Sequence, residues 1–255
     1  MGVLNVIPDV RAVKNFSPGE IPGLTGWYDF SDVSTLFQDT AFATPVTTDA
    51  QAIGSMRDKS GGNRHLVRGG GAGTEPTYKQ NIQAGRSIGR FDGGDWLLNS
   101  GYGVADTAQT VIICLKNPGA STLYGPWSRS DSTVSRLCGL LNNTTNDVGM
   151  GAGTGAAQYQ EMWSAPPATF IVVSCVINNS GAISQVYGDG TLRSSATGVP
   201  GISTSGALAL GSRQVSLLSS GMVGDIAECC LFNRALATDE HLHISNAWRA
   251  KWGTA

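Results

Sequence analysis

The helical period in this chain is confined to its end, from Thr238 to Trp252. There His241, Ile244, Trp248 and Trp252 recur at three- and four-residue steps and make one face. Before it, apolar residues fall in short runs separated by glycine, asparagine, aspartate and serine, the residues that turn a chain. A chain patterned this way must bury its core between sheets. The expectation is all-β: a two-sheet antiparallel sandwich with one short C-terminal α-helix.

The expected strands begin with Trp27 to Phe30. Ser87 to Phe91 and Trp96 to Leu98 flank Asp92-Gly93-Gly94-Asp95 and read as a hairpin. Thr110 to Lys116, Leu123 to Ser128, Ser135 to Leu141, Gln158 to Trp163, Thr169 to Ile177, Ile183 to Tyr187, Ala207 to Leu210 and Met222 to Phe232 follow. Asp58 to Asn63, Asn178 to Gly181 and Gly188 to Gly190 carry turn chemistry. Thr238 is the expected helix N-cap, Asp239 and Glu240 suit the positive end of the dipole, and Gly253 terminates the last turn. Residues 1–22, punctuated by Pro8, Pro18, Gly19 and Pro22, read as an extended N-terminal arm. Residues 23–255 read as one domain without internal repeats.

Charged residues make up 14% of the chain and the net charge is −2, so no basic field attracts nucleic acid or an anionic membrane. The longest apolar run, Phe170 to Ile177, is far shorter than the roughly 20 residues of a membrane span. The N-terminal sequence shows no basic start followed by an apolar block, so no secretory signal is expected. The five cysteines, Cys114, Cys138, Cys175, Cys229 and Cys230, contain no CxxC pair and read as buried reduced thiols. Cys229 and Cys230 are adjacent, so on a strand they face opposite sides. Both are buried only if that strand is covered twice.

Catalytic chemistry finds little support. A glycosidase needs two carboxylates on one face. Asp225 and Glu228 are three apart, which sets them on opposite faces of a regular strand. His65, His241 and His243 have no Gly-x-Ser-x-Gly elbow beside them and read as structural. Gly69 to Gly73 lacks the Lys-Ser/Thr ending of a phosphate cradle and reads as a loop. Asp29, Asp32, Asp58, Asp92 and Asp95 sit in turn sequences. Two readings stand: each caps its own backbone, or Asp29, Asp32 and Asp58 hold calcium, the one cofactor they suit.

The motifs fall in a recognisable order. Trp27-Tyr28-Asp29-Phe30-Ser31-Asp32 comes first, then Arg57-Asp58-Lys59-Ser60-Gly61, Pro76-Thr77-Tyr78 and Arg90-Phe91-Asp92-Gly93-Gly94-Asp95-Trp96-Leu97. Gly224-Asp225-Ile226-Ala227-Glu228, Asn233-Arg234-Ala235-Leu236 and a helix ending Lys251-Trp252-Gly253 close the series. This order resembles the concanavalin A-like lectin/glucanase superfamily, in the laminin-G-like jelly-roll branch of bacterial surface proteins and phage virion proteins. The resemblance covers about residues 23–253; Met56 departs from the tryptophan common before Arg-Asp-Lys-Ser.

The resemblance implies a jelly roll, carbohydrate or protein binding in many members, calcium in some and hydrolysis in a minority. Tyr124, Trp127, Arg129, Tyr159 and Trp163 come from mid-chain segments where a jelly roll has its concave sheet, and they are the candidate sugar contacts, or else ordinary core and rim aromatics. Trp27, Trp96, Trp248 and Trp252 fall on the structural motifs and are expected in the core. The expected function is that of a non-enzymatic virion structural or decoration protein. It would assemble in the host cytoplasm as a homo-oligomer, anchor to other virion proteins through the arm, and bind a host surface glycan. A receptor-binding tail-fibre lectin and a polysaccharide-degrading glycosidase are the alternatives.

Overall fold

The structure is a computed structural model that describes residues 16–104, 108–116, 123–130, 135–142, 147–154, 157–164, 168–178, 183–197, 206–213 and 221–254. It is an all-β sandwich of two sheets with one α-helix among the described residues. The first sheet contains β1 (Leu24–Asp29), β5 (Thr77–Gln83), β6 (Arg86–Asp92), β8 (Ala108–Lys116), β14 (Phe170–Asn178), β15 (Ile183–Gly188), β16 (Thr191–Thr197) and β18 (Val223–Phe232). The second contains β2 (Leu36–Phe37), β3 (Ser55–Met56), β4 (Leu66–Arg68), β7 (Leu97–Asn99), β9 (Leu123–Tyr124) and β10 (Trp127–Ser130). It also holds β11 (Ser135–Asn142), β12 (Asp147–Thr154), β13 (Ala157–Ser164) and β17 (Ala207–Leu210).

In the first sheet the order is β16-β15-β14-β8-β18-β6-β5. Along one edge β18 pairs with β8; along the other it pairs first with β6 and then with β1. The first and last strands of the sandwich therefore meet. The second sheet runs β13-β12-β11-β10-β17-β7-β4-β3-β2, with β9 beside β11.

Two clusters of buried side chains cover β18 from both sides. Ile226, Cys229 and Leu231 lie in the core between the sheets, with Tyr28, Phe30, Val111 and Leu208. Ala227, Cys230 and Phe232 lie beneath α1 (Thr238–Trp252), with Ile244, Trp248 and Trp252. Cys229 and Cys230 are both fully buried, each in its own cluster, as their adjacency requires. Cys114, Cys175, Cys229 and Cys230 are all buried.

The helix keeps its expected apolar face, and Gly253 ends it in the left-handed region at φ 60°. Its N-cap is Ala237, one residue before the expected Thr238. The Ala237 amide donates to the Glu240 carboxylate at 2.8 Å, so a side chain from the first turn satisfies the end.

Three expectations about the strands are corrected. Ser87 to Phe91 and Trp96 to Leu98 do not form a hairpin, because β6 belongs to the first sheet and β7 to the second. The Asp92–Asp95 turn carries the chain across the sandwich. β12 and β16 were not anticipated: β12 is glycine-rich, and β16 is a largely exposed edge strand. Residues 16–22 also differ from an extended arm. Pro18–Glu20 form a short 3-10 turn, Ile21 joins the cluster under α1, and Phe16 packs against it. Residues 1–15 lie outside the described residues. The expected turn at Asn178 to Gly181 also falls largely outside them.

Candidate functional site

The chain's two ends build a cleft of about 670 Å³ on the helix side of the first sheet. Phe16, Trp27, Arg86, Glu228, Trp248 and Lys251 are among the residues lining it. Its floor is set by register. Asp29 on β1 stands directly opposite Glu228 on β18. The β18–β8 register shifts between Ile226 and Glu228, a bulge that turns both Ala227 and Glu228 toward α1. Asp29 and Glu228 are 4% and 1% exposed, so both carboxylates need partners.

Lys251, from the last turn of α1, supplies one to both. Its Nζ lies 2.8 Å from Asp29 Oδ2 and 2.7 Å from Glu228 Oε2. Trp27 Nε1 donates to Glu228 Oε1 at 2.7 Å, and Trp252 Nε1 to Oε2 at 3.0 Å. Lys59 donates to Asp29 at 3.2 Å, pairs with Asp32 at 2.7 Å, and lies 4.4 Å from the centre of the Trp27 ring. The environments push the two carboxyls apart. Burial and then the Asp29 charge raise the Glu228 pKa, against the pull of Lys251 and Trp27. Burial alone would raise Asp29 as well, but attraction to Lys251, with hydrogen bonds from Lys251 and Ser31, holds it below its ordinary value.

The three aspartates read as candidate calcium ligands are occupied by the protein. Asp29 Oδ1 accepts from Ser31, and Oδ2 from both lysines. Asp32 accepts from Ser34 and Lys59. Asp58 accepts from the Trp27 amide at 3.0 Å, from Ser60 and from the Arg64 amide, which pins the 58–63 turn to β1. All six oxygens are taken, two ammonium groups stand among them, and the set does not fit a calcium ion that needs six to eight oxygens. Among the described residues no group of three or more histidine, cysteine or acidic side chains could hold a metal.

Asp225 points away from the inter-sheet core, since its cross-strand partner Arg90 follows Gly89, where any Cβ would run into the Phe30 ring of that core. The bulge therefore overturns the expectation that Asp225 and Glu228 face opposite sides. Arg90 holds Asp225 through two hydrogen bonds of 2.7 and 3.0 Å. The carboxylates of β18 are thus each engaged by a different cation. Ser174 on β14 and His241 on α1 form a hydrogen bond of 2.8 Å, and both are buried between the helix and the first sheet.

The five expected sugar contacts all fall on the second sheet, on β9, β10 and β13. Trp127 and Arg129 are corrected: they are 1% and 0% exposed, paired opposite Leu210 and Leu208 of the core. The Arg129 guanidinium lies 4.3 Å from the Tyr102 ring centre and donates to Val104 O at 2.8 Å. Neither side chain has a face left for a sugar. Tyr124, Tyr159 and Trp163 are described at the backbone only, opposite Leu141, Ala152 and Val148. Trp96, Trp248 and Trp252 are buried as expected, whereas Trp27 is half-buried and forms part of the cleft. Lys59, Arg86 and Lys251 escaped sequence reasoning as site residues. The only signal was that Lys59 and Lys251 lie within the recognised motifs.

No family model matches the chain, and no curated protein matches it in sequence. Solved structures match it by fold. Domain 4 of an extracellular GH43 arabinanase from Geobacillus stearothermophilus, solved with arabinotriose, has a TM-score of 0.53 at 14% identity, covering 87% of this chain and 98% of that one. A tryptophan-to-alanine mutant of HCR/D has a TM-score of 0.57 at 11% identity, covering 89% of this chain and 56% of that one. The NanB sialidase from Streptococcus pneumoniae has a TM-score of 0.44 at 16% identity; the match covers 55% of this chain and only 24% of that enzyme. At these identities the likeness concerns the fold.

Proposed function

We propose that this chain is a non-catalytic, glycan-binding jelly-roll module. The observation that carries the reading is the near end-to-end likeness to an arabinanase domain solved with a bound oligosaccharide. The cleft adds a volume within the range of ligand pockets, with aromatic walls and convergent polar groups. The absence of catalysis is supported by the state of the carboxylates. Lys251 stands between Asp29 and Glu228, where a glycosidase would place the scissile bond, and Arg90 engages Asp225. A panel of immobilised bacterial surface polysaccharides tests the reading. Retention on at least one of them is expected; no retention on any would overturn it.

The finer proposal is that the module decorates a phage virion, with residues 1–15 contacting other virion proteins. It rests on the resemblance of the motif order to that of virion jelly rolls. Since residues 16–22 pack on the domain, the informative deletion stops at residue 15. Loss of particle incorporation with an unchanged unfolding temperature is expected. Normal incorporation would contradict the anchoring role.

A further inference from the structure

The cleft beside Trp27 carries an excess of cations. Lys59, Arg86 and Lys251 line it against Asp29 and Glu228. The two lysines are spent on the buried carboxylates, but Arg86 is not. Its Nε donates to Lys251 O at 2.9 Å, which fixes the guanidinium at the rim. Its two terminal nitrogens donate to no protein atom among the described residues, and the side chain is exposed. A guanidinium held by one nitrogen and open at the other two presents a planar fork, the geometry that matches a carboxylate bidentately. Phe16 and Trp27 supply apolar surface beside it. The Trp27 ring is fixed in place by its bond to Glu228.

On the glycan-binding reading, we propose that this cleft receives a carboxylate-bearing sugar unit, a uronic acid residue, whose carboxylate is forked by Arg86. The sugar ring lies along Trp27 and Phe16. This places binding on the helix side of the first sheet, away from the strands of the second sheet on which the sequence centred it.

Affinity electrophoresis in gels containing polygalacturonate tests the proposal, with methyl-esterified polygalacturonate as a matched control that keeps the backbone and masks the charge. Retardation by the free acid alone is expected, weakening with salt. Arg86→Gln should weaken it about tenfold, and Arg86→Lys should restore part of it, because the charge remains while the fork is lost. Unfolding temperatures of both variants confirm that the domain is intact. Equal retardation by ester and acid, or retardation by the acid that Arg86→Gln leaves unchanged, overturns the acidic-sugar proposal while glycan binding stands. Binding to neutral arabinan or dextran but not to polygalacturonate does the same. No retardation by any polysaccharide overturns both.

Discussion

Asp29 and Glu228 face each other across the β1–β18 ladder and share one cation, the Nζ of Lys251, at 2.8 and 2.7 Å. Residues from the start of the sandwich, its last strand and the end of the terminal helix thus close on one buried ion cluster.

Replacing Lys251 with Met leaves two buried carboxylates without their common partner. The expected loss is about 3–5 kcal/mol of unfolding free energy at pH 7, read from urea denaturation. Adding Glu228→Gln should recover part of it, since one uncompensated charge is then removed. A loss below about 1 kcal/mol, the range of an exposed ion pair, would show that the cluster is solvated.

His241 makes the fold acid-sensitive. Burial holds its pKa down to about 4, against 6.5 for a free ring. The neutral ring is hydrogen-bonded to the Ser174 hydroxyl at 2.8 Å and stacks on Tyr187 with ring centres 4.1 Å apart. Its contribution is complete above pH 6.5. It declines as pH falls toward 4, because the unfolded state binds the proton first. The loss reaches about 3 kcal/mol. Urea midpoints measured from pH 7 to pH 4 should fall, and His241→Phe should flatten that slope. An unchanged slope in the variant would assign the acid sensitivity elsewhere.

Asp95 has the opposite sign. Burial, with the nearby charges of Asp92 and Glu75, pushes its pKa up to about 7 against the hydrogen bond from the Asp92 amide. The fold favours the neutral carboxyl, so the stability tied to it is greatest at acid pH and declines as pH rises from about 4 to 7. Asp95→Asn should raise stability at pH 8 by roughly 1–3 kcal/mol and change little at pH 4. A destabilised variant at pH 8 would show that the ionised form is the favoured one.

These relationships divide into those that local sequence encodes and those that it does not. The face of α1 was legible because residues three and four apart must share a surface. The double burial of Cys229 and Cys230 followed from strand parity. The Asp92–Asp95 turn was misread because its residues announce a reversal without saying which sheet receives the chain. β12 was missed because Gly149, Gly151 and Gly153 carry no strand propensity; its neighbours β11 and β13 impose the ladder. The parity argument that separated Asp225 from Glu228 failed at a bulge with no local signature. The ion cluster was invisible for a different reason. Lys59 and Lys251 are distant in sequence and meet only after both ends of the sandwich have closed on β18.

On the proposed function, this sandwich holds a polysaccharide without cutting it. Incubation of the protein with a polysaccharide that it retains, followed by gel filtration of both bound protein and polymer length, separates holding from cutting. A complex in which the polymer keeps its original length is expected. Shortening of the polymer that Glu228→Gln abolishes would contradict it.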